Sequence, residues 1–457
     1  MKLKIILYGA MFLFGMGHLY AQNPNRPDSD RVMDLDKVVQ TALANNISIK
    51  QKFLDEKSAQ HQRKEIVGSG LPQLRGYGNY NNFIDIFPQA IPGGLFDPTQ
   101  DPNTISVLNF GVPQSIKAGL EVTQLIYSHS YIVGLKAAKT SQEYYYLLSR
   151  QNEEDVIYDV VLNFYNVKAA ELQADNLRSN LERLNRLNAI VKSQVENDLA
   201  RKVDLNRIKV NMTTLETQLD NIEIGIEQGL NYLKLLMGVP MDTPLVLEAI
   251  DFDMDHASEN IDHNYTDIYG RADFKVLDKV TELQNLDIRN IRSGYVPTLA
   301  AFFDLNYNAF STEFDFLNRS HNWYRGALFG LQLNVPIFDG FQRKHKISQA
   351  KISADKLSMD RQNLNEAAMA EYLTATKKLE NSFRGLNAQK ENLKLSEEVM
   401  YQSEQLYKEG LAPLTDLLDA ELALREARSS FYNQTVNVKT AQADLLKSTG
   451  RIKEISK

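Results

Sequence analysis

The sequence predicts a repeated unit of two β-strands and a long helical hairpin, so that one chain carries four strands and four long helical segments. The repeat is clearest in two matched stretches, VENDLARKVDLNRIK at 195–209 and LYKEGLAPLTDLLDA at 406–420, about 212 residues apart. Four segments alternate apolar and polar residues, which is typical of strands with two different faces. Seven-residue apolar spacing follows each strand pair and is typical of long coiled-coil helices.

Composition excludes several classes of protein. The 457 residues are 43% apolar and 24% charged, which is ordinary for a folded chain and too polar for a helical membrane protein. The net charge of −7 and the mixed distribution of charges give no reason to expect nucleic acid. The chain has no cysteine, which excludes disulfides, thiolate metal sites, thiol nucleophiles and a lipid-modified cysteine.

The first 21 residues are typical of a secretory signal peptide, with a basic start at Lys2 and Lys4, an apolar run and Ala21 at the end. The alternative is a membrane-anchoring helix, but the apolar run is short for a span. Residues 22–32 are polar and predict an N-terminal tether. We therefore expect the chain to be exported.

Two repeats account for most of the remaining chain. The first covers 33–238 and the second 270–450, and each contains a helix, two strands and a long helical hairpin. The first helix is expected to begin after the cap Asp34 and to run to Gly68, and its counterpart is 270–294. The motifs GSGLPQL and SGYVPTL end these two helices in the same way. Residues 239–269 predict a linker or an equatorial insert, and 451–457 a C-terminal tail.

The alternating segments predict strands at 74–82, 115–126, 299–307 and 327–335. The loops between paired strands, 82–114 and 308–324, are rich in turn residues. Trp323 and Tyr324 precede the fourth strand and suit either an interfacial aromatic belt or an ordinary buried pair.

Very long helices are expected over 132–196 and 344–408, each about 100 Å long at 1.5 Å per residue. Shorter helices return to Gly238 and Gly450. Pro413 is expected at the first helical position of the helix that returns to Gly450. Abundant Lys, Glu, Asn and Gln outside the apolar positions favour narrow coiled-coil seams over a conventional bundle core.

Four amphipathic strands cannot close a membrane barrel, and an open sheet edge in lipid leaves unpaired backbone groups. Three copies would give twelve strands and a passage, whereas two would give eight strands and a filled interior. We therefore expect the barrel wall to be shared among chains.

The chain resembles the TolC-like outer-membrane efflux proteins over nearly all of its mature length. The motifs that carry the resemblance are LDKVVQTALANN from Leu35, SGYVPTL, LQLNVPIFDGFQRK from Leu331 and YKEGLAPLTDLLDAELAL from Tyr407. The resemblance implies an α-helical and β-barrel membrane channel. Its expected form is a homotrimer with a shared 12-stranded barrel in the outer membrane and a helical coiled-coil barrel across the periplasm.

The same resemblance implies a function. The channel is expected to be the exit duct of a tripartite efflux or secretion system, which passively conducts substrates delivered by a periplasmic adaptor and an inner-membrane pump. Drugs, metals, siderophores and proteins all remain open as cargo. The alternative from another class is a non-conducting periplasmic coiled-coil scaffold, which would not need a lipid-facing apolar stripe.

Candidate site residues lie at the two hairpin tips. By resemblance the adaptor-contacting residues are Asp198, Leu199, Ala200, Gly410, Leu411 and Ala412, and the periplasmic gate residues are Asp204, Tyr407, Asp416 and Asp419. From the residues alone, the tips are plain helix turns, and the paired aspartates equally suit compensation of a helix dipole. Ala412 stands where the family has a gate arginine, and Arg201, Lys202 or Lys408 could replace part of its pairing.

No enzyme is expected, because the sequence contains no HExxH, GxSxG, Walker or dinucleotide-binding pattern. No cofactor or metal is expected either. Asp251, Asp253, Asp255 and Asp262 mimic the spacing of a calcium loop, but His256 occupies the position at which such a loop needs glycine.

Overall fold

The computed structural model describes residues 32–92, 101, 103–109, 111–249, 265–318 and 322–455. The predicted signal peptide, nearly all of the predicted tether and the whole calcium-like aspartate segment lie outside these described residues.

The described chain consists of two copies of one unit, as the sequence predicted. Each unit is a helix, two strands, a very long helix and a returning helix. The first unit comprises α2 (Ile47–Gly68), β2 (Gln73–Asn82), β5 (Gln114–Tyr127), α3 (His129–Glu196) and α4 (Lys202–Met237). The second comprises α5 (Ala272–Ser293), β7 (Thr298–Ser311), β8 (Tyr324–Asn334), α6 (Gln342–Lys408) and α7 (Leu414–Ser448).

The four predicted strands are confirmed and form one antiparallel sheet in the order β2-β5-β7-β8. Residues directly opposite each other share a face, so the registers assign every side chain to one of two surfaces. One surface is apolar and includes Leu74, Leu120, Phe303 and Phe329. The other carries most of the charged and amide side chains of the sheet.

The helices follow the same lateral order as the strands. Next to the sheet α3 lies between α2 and α5, and α6 packs on the far side of α5. Farther from the sheet α3 lies between α4 and α7, and α6 packs on the far side of α7. The chain therefore has two lateral edges, with β2, α2 and α4 on one side and β8 and α6 on the other.

The prediction of one continuous helix from Asp34 to Gly68 is wrong in one respect. Asp34 does cap the helix, since its side chain accepts a bond from the Lys37 amide at 2.7 Å. However, α1 (Leu35–Asn45) ends before Asn46, and α2 begins after it. The Asn46 side chain accepts from Ser48 N and donates to Leu236 O at 2.7 Å, so it caps the new helix and anchors the break to α4.

Two short strand pairs were not predicted. Strands β3 (Gln89–Pro92) and β4 (Ile105–Leu108) form a hairpin inside the long loop between β2 and β5. Strands β1 (Val32–Met33) and β6 (Val246–Leu247) pair in parallel, which ties the start of the described chain to the predicted linker. Neither pair is long enough to give a clear alternating pattern in the sequence.

The main hydrophobic core lies where the two repeats meet near the middle of the long helices. It contains Val38 and Val39 from α1, Val160 and Phe164 from α3, and Leu233 from α4. Residues 452–454 add a short 3₁₀ helix, whose Ile452 is buried in this core. A second, narrower cluster follows the predicted heptad positions towards the tips, which supports coiled-coil seams there.

Both long helices end in the same turn, although the residues differ. Leu199 N bonds to Gln194 O at 2.7 Å, and Leu411 N bonds to Leu406 O at 2.9 Å, which is the six-residue bond of a Schellman motif. The left-handed residue of this motif is Gly410, with φ of 72°, in the second tip and Asp198, with φ of 61°, in the first. Asp198 therefore adopts a conformation that favours glycine.

Pro413 is the N-cap of α7 rather than its first helical residue, which corrects the prediction by one position. Its φ of −71° and ψ of 159° are extended. Proline fits there because the N-cap is outside the helical ladder and its missing N–H costs no helical bond.

We predict that Asp198→Gly stabilises the first tip by up to about 1 kcal/mol, because a side chain in the left-handed region costs about 1–2 kcal/mol and the added freedom of glycine when unfolded offsets part of the gain. Thermal unfolding followed by helical circular dichroism measures this change. The matched control is Gly410→Asp, which places the same strain in the second tip and should lower its stability. A lower unfolding temperature for Asp198→Gly would contradict the strain argument.

Candidate functional site

The hairpin tips enclose a pocket of about 690 Å³ between the first and second repeats. It is lined from both long helices and both returning helices, and it includes the predicted residues Ala200, Asp204, Tyr407 and Ala412. The two tips therefore lie side by side.

Asp204 forms a two-pronged ion pair with Arg201 within the first tip. Arg201 Nε lies 3.0 Å from Asp204 Oδ2, and Arg201 Nη2 lies 3.2 Å from Oδ1. The carboxylate is largely buried, whereas the arginine is exposed. Lys408 pairs with Glu404 at 2.7 Å. Arg201 thus pairs with the predicted gate residue Asp204, whereas Lys408 pairs with Glu404, which is not among the predicted gate residues.

Tyr407 lies partly buried in the same pocket, on the last turn of α6. Burial raises the pKa of its phenol, and the nearby charge of Asp204 raises it further. The hydroxyl therefore stays protonated and can donate a hydrogen bond.

Asp416 and Asp419 lie outside this pocket. Both are exposed on one side of the first turns of α7, while Leu417, Leu418 and Ala420 between and beside them are buried. The Thr415 hydroxyl donates to Asp416 Oδ1 at 3.3 Å. The structure therefore divides the four predicted gate residues into a pocket pair, Asp204 and Tyr407, and an exposed pair, Asp416 and Asp419.

The tips themselves present apolar side chains to the surroundings. Leu199 is 79% exposed and Leu411 is 72% exposed, each directly after the left-handed residue of its turn. Ala200 and Ala412 follow them and line the pocket. A leucine held in this way by a fixed turn offers apolar surface at low conformational cost.

Sequence reasoning missed two pocket residues, Arg183 on α3 and Glu421 on α7. Glu421 is 8% exposed, and its Oε1 lies 3.6 Å from Arg183 Nε, which is an ion pair too long for a hydrogen bond. Neither of these two atoms has a hydrogen-bond partner. The signal was available, because Glu421 stands between Leu417 and Leu424 in the apolar heptad stripe.

Burial raises the pKa of Glu421, and the positive charge of Arg183 opposes this shift without cancelling it. The folded chain therefore binds a proton at Glu421 more readily than the unfolded chain does. This pair bridges α3 and α7, so the protonation state of Glu421 bears on the contact between the two hairpins.

Among the described residues, no group of three or more His, Asp or Glu side chains could hold a metal ion. No helix in the described part of the chain combines the length and apolar character that a membrane span needs.

Comparisons with known proteins agree on one family. Residues 274–451 match the family described as outer membrane efflux protein. Two proteins of Pseudomonas putida, the probable efflux pump outer membrane protein SepC and the toluene efflux pump outer membrane protein TtgF, are each 20% identical over 418 residues, 91% of this chain and 82% of theirs. The Campylobacter jejuni CmeC outer membrane channel superposes with a TM-score of 0.73 at 18% identity, covering 100% of this chain and 98% of CmeC.

These likenesses confirm the resemblance and the fold class, and the two relatives are named as outer membrane proteins. The family is one of transport proteins. The gate and tip assignments stay predictions.

We predict that Glu421→Gln gains stability over the wild type as the pH rises. The raised pKa means that the contribution of Glu421 to stability is fully present below the ordinary glutamate pKa and is lost as the pH rises through the pKa of the folded chain. The amide keeps the shape of the side chain without the buried charge. Thermal unfolding between pH 4 and pH 8 measures the difference.

The matched control is Glu426→Gln on the exposed side of α7, which should follow the wild type at every pH. Parallel pH profiles for Glu421→Gln and the wild type would contradict the assigned burial effect.

Proposed function

We propose that three copies of the chain form the outer-membrane exit duct of a tripartite efflux or secretion system, because residues 274–451 match the outer membrane efflux protein family. The single observation that carries the proposal is the sheet, which has one apolar exposed face, one polar face and two unpaired edges.

The apolar face suits lipid. Leu74, Tyr80, Phe329, Leu331 and Leu333 all point to this surface and are exposed in the single chain. A contiguous exposed apolar surface of this kind needs cover in water but not in a bilayer. Strands of 10 to 14 residues are also long enough to cross the hydrocarbon core at a tilt.

The polar face suits a water-filled lumen. Tyr77 donates to Asp304 Oδ2 at 2.6 Å, Asn308 donates to Asn306 Oδ1 at 2.6 Å, and Arg75 pairs with Glu121. Side chains crowd on this face, because a Cβ at Gly330 would lie 2.5 Å from the Phe302 ring. At Gly78 on the apolar face a Cβ would meet nothing within 4 Å. Crowding on the polar side supports a sheet that curves towards it.

Closure needs other copies, since a four-stranded sheet in lipid leaves backbone groups unpaired at both edges. Three copies supply twelve strands, enough for an aqueous passage. The helices continue the wall, and 68 residues of α3 extend about 100 Å. A periplasmic adaptor and an inner-membrane pump meet the duct at the tips, where Leu199 and Leu411 provide apolar contacts.

In this trimer Asp416 and Asp419 form rings of three carboxylates at the narrow periplasmic end, and Asp204 and Tyr407 hold the two hairpins together beside them. Rings of acidic side chains attract cations. Opening separates the tips and disrupts the contacts across the pocket.

The second candidate, a non-conducting periplasmic scaffold, is disfavoured by the lipid-like face. Coiled-coil helices alone would serve a scaffold, and a sheet with an exposed apolar surface would only promote its aggregation. Single-channel recording of the purified protein in planar lipid bilayers distinguishes the two. Discrete conductance steps support the duct, whereas a water-soluble protein that leaves bilayers sealed refutes it.

We predict that Asp416→Ala combined with Asp419→Ala abolishes the inhibition of channel conductance by multivalent cations, because the substitution removes six carboxylates from the trimer. Bilayer recordings with and without a trivalent cation measure the block.

The matched control is Glu216→Ala with Asp220→Ala, which removes two exposed carboxylates one turn apart on α4. Undiminished cation block in the Asp416 and Asp419 variant would refute the assignment of these residues to the gate.

A further inference from the structure

A cavity of about 1180 Å³ lies close to the sheet, where α3, α5 and α6 run side by side. Of the cations that line it, Lys139 pairs with Glu143 at 3.9 Å. The others form no ion pair within the described part of the chain, and we call them the basic cluster: Lys136 on α3, Arg289 and Arg292 on α5, and Lys351 on α6. The whole chain has a net charge of −7, so this concentration of positive charge is a local feature.

The acidic residues of the cavity lie at its end away from the sheet. Three of them have cation partners in the helical wall: Glu143 and Glu282 with Lys279 at 2.7 and 2.9 Å, and Asp278 with Arg361. The fourth, Asp355, is exposed and lies one turn farther along α6 than Lys351. The sheet end of the cavity is therefore positively charged, whereas the charges at the far end largely cancel.

The directions of the helices bring the basic cluster together. Helices α3 and α6 begin at the sheet, whereas α5 ends there. Because helical side chains tilt towards the N-terminus of their helix, Lys136 and Lys351 reach towards the sheet, and the two arginines of α5 tilt away from it. At 1.5 Å per residue, Arg292 lies about 2 Å and Lys351 about 14 Å from the sheet end of its helix. The charged groups therefore converge between these two depths.

Compensation of a helix dipole accounts for only part of the basic cluster. Arg292 lies in the last turn of α5, where a cation is favourable. Lys136 and Lys351 lie two to three turns into α3 and α6, beyond the first turn in which the dipole acts. An anion bound between the three helices would account for all four cations.

The cavity lies on the outer side of the proposed tube. On α3 the cavity residue Lys139 is two turns from Tyr146 and on the same face. Tyr146 lines a smaller cavity together with Leu43 of α1. The larger cavity and α1 are therefore on the same side of the helical wall. Three copies of the layer that α1 adds would obstruct the passage from inside, so this side faces outwards.

In the proposed channel the basic cluster lies at the depth of lipid headgroups. The strands cross the hydrocarbon, and a headgroup region about 5–8 Å thick begins where they end. Phe338 and Phe341, between β8 and α6, are 73% and 58% exposed, and aromatic side chains are enriched at this boundary. On α3 the exposed Ile132 lies one turn closer to the sheet than Lys136. Apolar residues thus give way to cations as the chain leaves the sheet.

We propose that the basic cluster binds the headgroup of an anionic phospholipid from the periplasmic leaflet of the membrane. Arg289 and Arg292 supply planar guanidinium groups, which bind two phosphate oxygens at once, and the lysines add ammonium charges. A zwitterionic headgroup would place its own cation among these four, so a headgroup of net negative charge is favoured. The acyl chains then continue along the apolar face of the sheet. This inference rests on the proposed membrane channel and adds a lipid site to it.

Native mass spectrometry of the purified full-length protein tests the site. The detergent contains equal amounts of phosphatidylglycerol and phosphatidylcholine with identical acyl chains, and the wild type should retain phosphatidylglycerol in preference. Lys136→Gln combined with Arg289→Gln should weaken phosphatidylglycerol binding about thirtyfold, because each Lys or Arg beside an anionic headgroup contributes a factor of about five. Binding of phosphatidylcholine should change little.

The matched control is Lys192→Gln with Arg207→Gln, which removes an exposed lysine from α3 and an exposed arginine from α4, both near the tips. It should bind phosphatidylglycerol like the wild type. Lys136→Arg combined with Arg289→Lys keeps both charges and should also keep the preference. This variant separates loss of charge from damage to the fold.

A second pair, Arg292→Gln with Lys351→Gln, should reproduce the loss. Selective loss of phosphatidylglycerol from both pairs supports the lipid site. Equal retention of the two lipids by the wild type overturns it, as does an unchanged preference in both variants. Displacement of phosphatidylglycerol by excess inorganic phosphate also overturns it, since the cluster would then be a site for free phosphate. In these three outcomes the proposed channel stands if the wild type conducts in bilayers. A wild type with neither conductance nor lipid preference overturns the channel and the lipid site together.

Discussion

A backbone amide or carbonyl group in hydrocarbon has no water to bond, and each one left unpaired costs several kcal/mol. This constraint governs the chain. Its sheet satisfies the backbone of β5 and β7 on both sides, but β2 and β8 are each paired on one side only. The apolar face of the sheet favours contact with lipid. The unpaired backbone groups at the two edges are unfavourable in lipid unless another strand pairs with them. Assembly is therefore a condition of the membrane location.

The two repeats meet through polar contacts inside the chain, but the equivalent outer positions differ in chemistry. Inside the chain, Thr140 donates to Glu282 at 3.0 Å and Lys279 pairs with Glu143 at 2.7 Å. Counted from the matched turns at Asp198 and Gly410, the residue equivalent to Thr140 is Ile352, and counted from the matched motifs GSGLPQL and SGYVPTL, the residue equivalent to Lys279 is Leu54. Both Ile352 and Leu54 are exposed and apolar. Exposed apolar side chains at positions whose equivalents are polar and paired would gain free energy from burial against another molecule.

The hairpin tips combine a fixed backbone with adjustable side-chain contacts. Identical turns at Asp198 and Gly410 keep Leu199 and Leu411 exposed in equivalent positions. Behind them the pocket holds polar groups that are incompletely paired, notably Arg183 and Glu421. Such groups weaken the contact between hairpins, while the apolar core near the middle of the helices is continuous. Separating the helices at the tips therefore costs less free energy than separating them at the apolar core.

The sequence by itself determined the repeat, the four strands with their two faces, the lengths of the long helices and the positions of the tips. These features depend on periodicity and on local turn chemistry, which neighbouring residues encode. Only the tertiary structure decided the break at Asn46, the separation of Asp416 and Asp419 from the tip pocket, and the burial of Glu421 against Arg183. Each of these depends on which side chains from distant segments meet, and the local pattern of one segment carries no information about its partner.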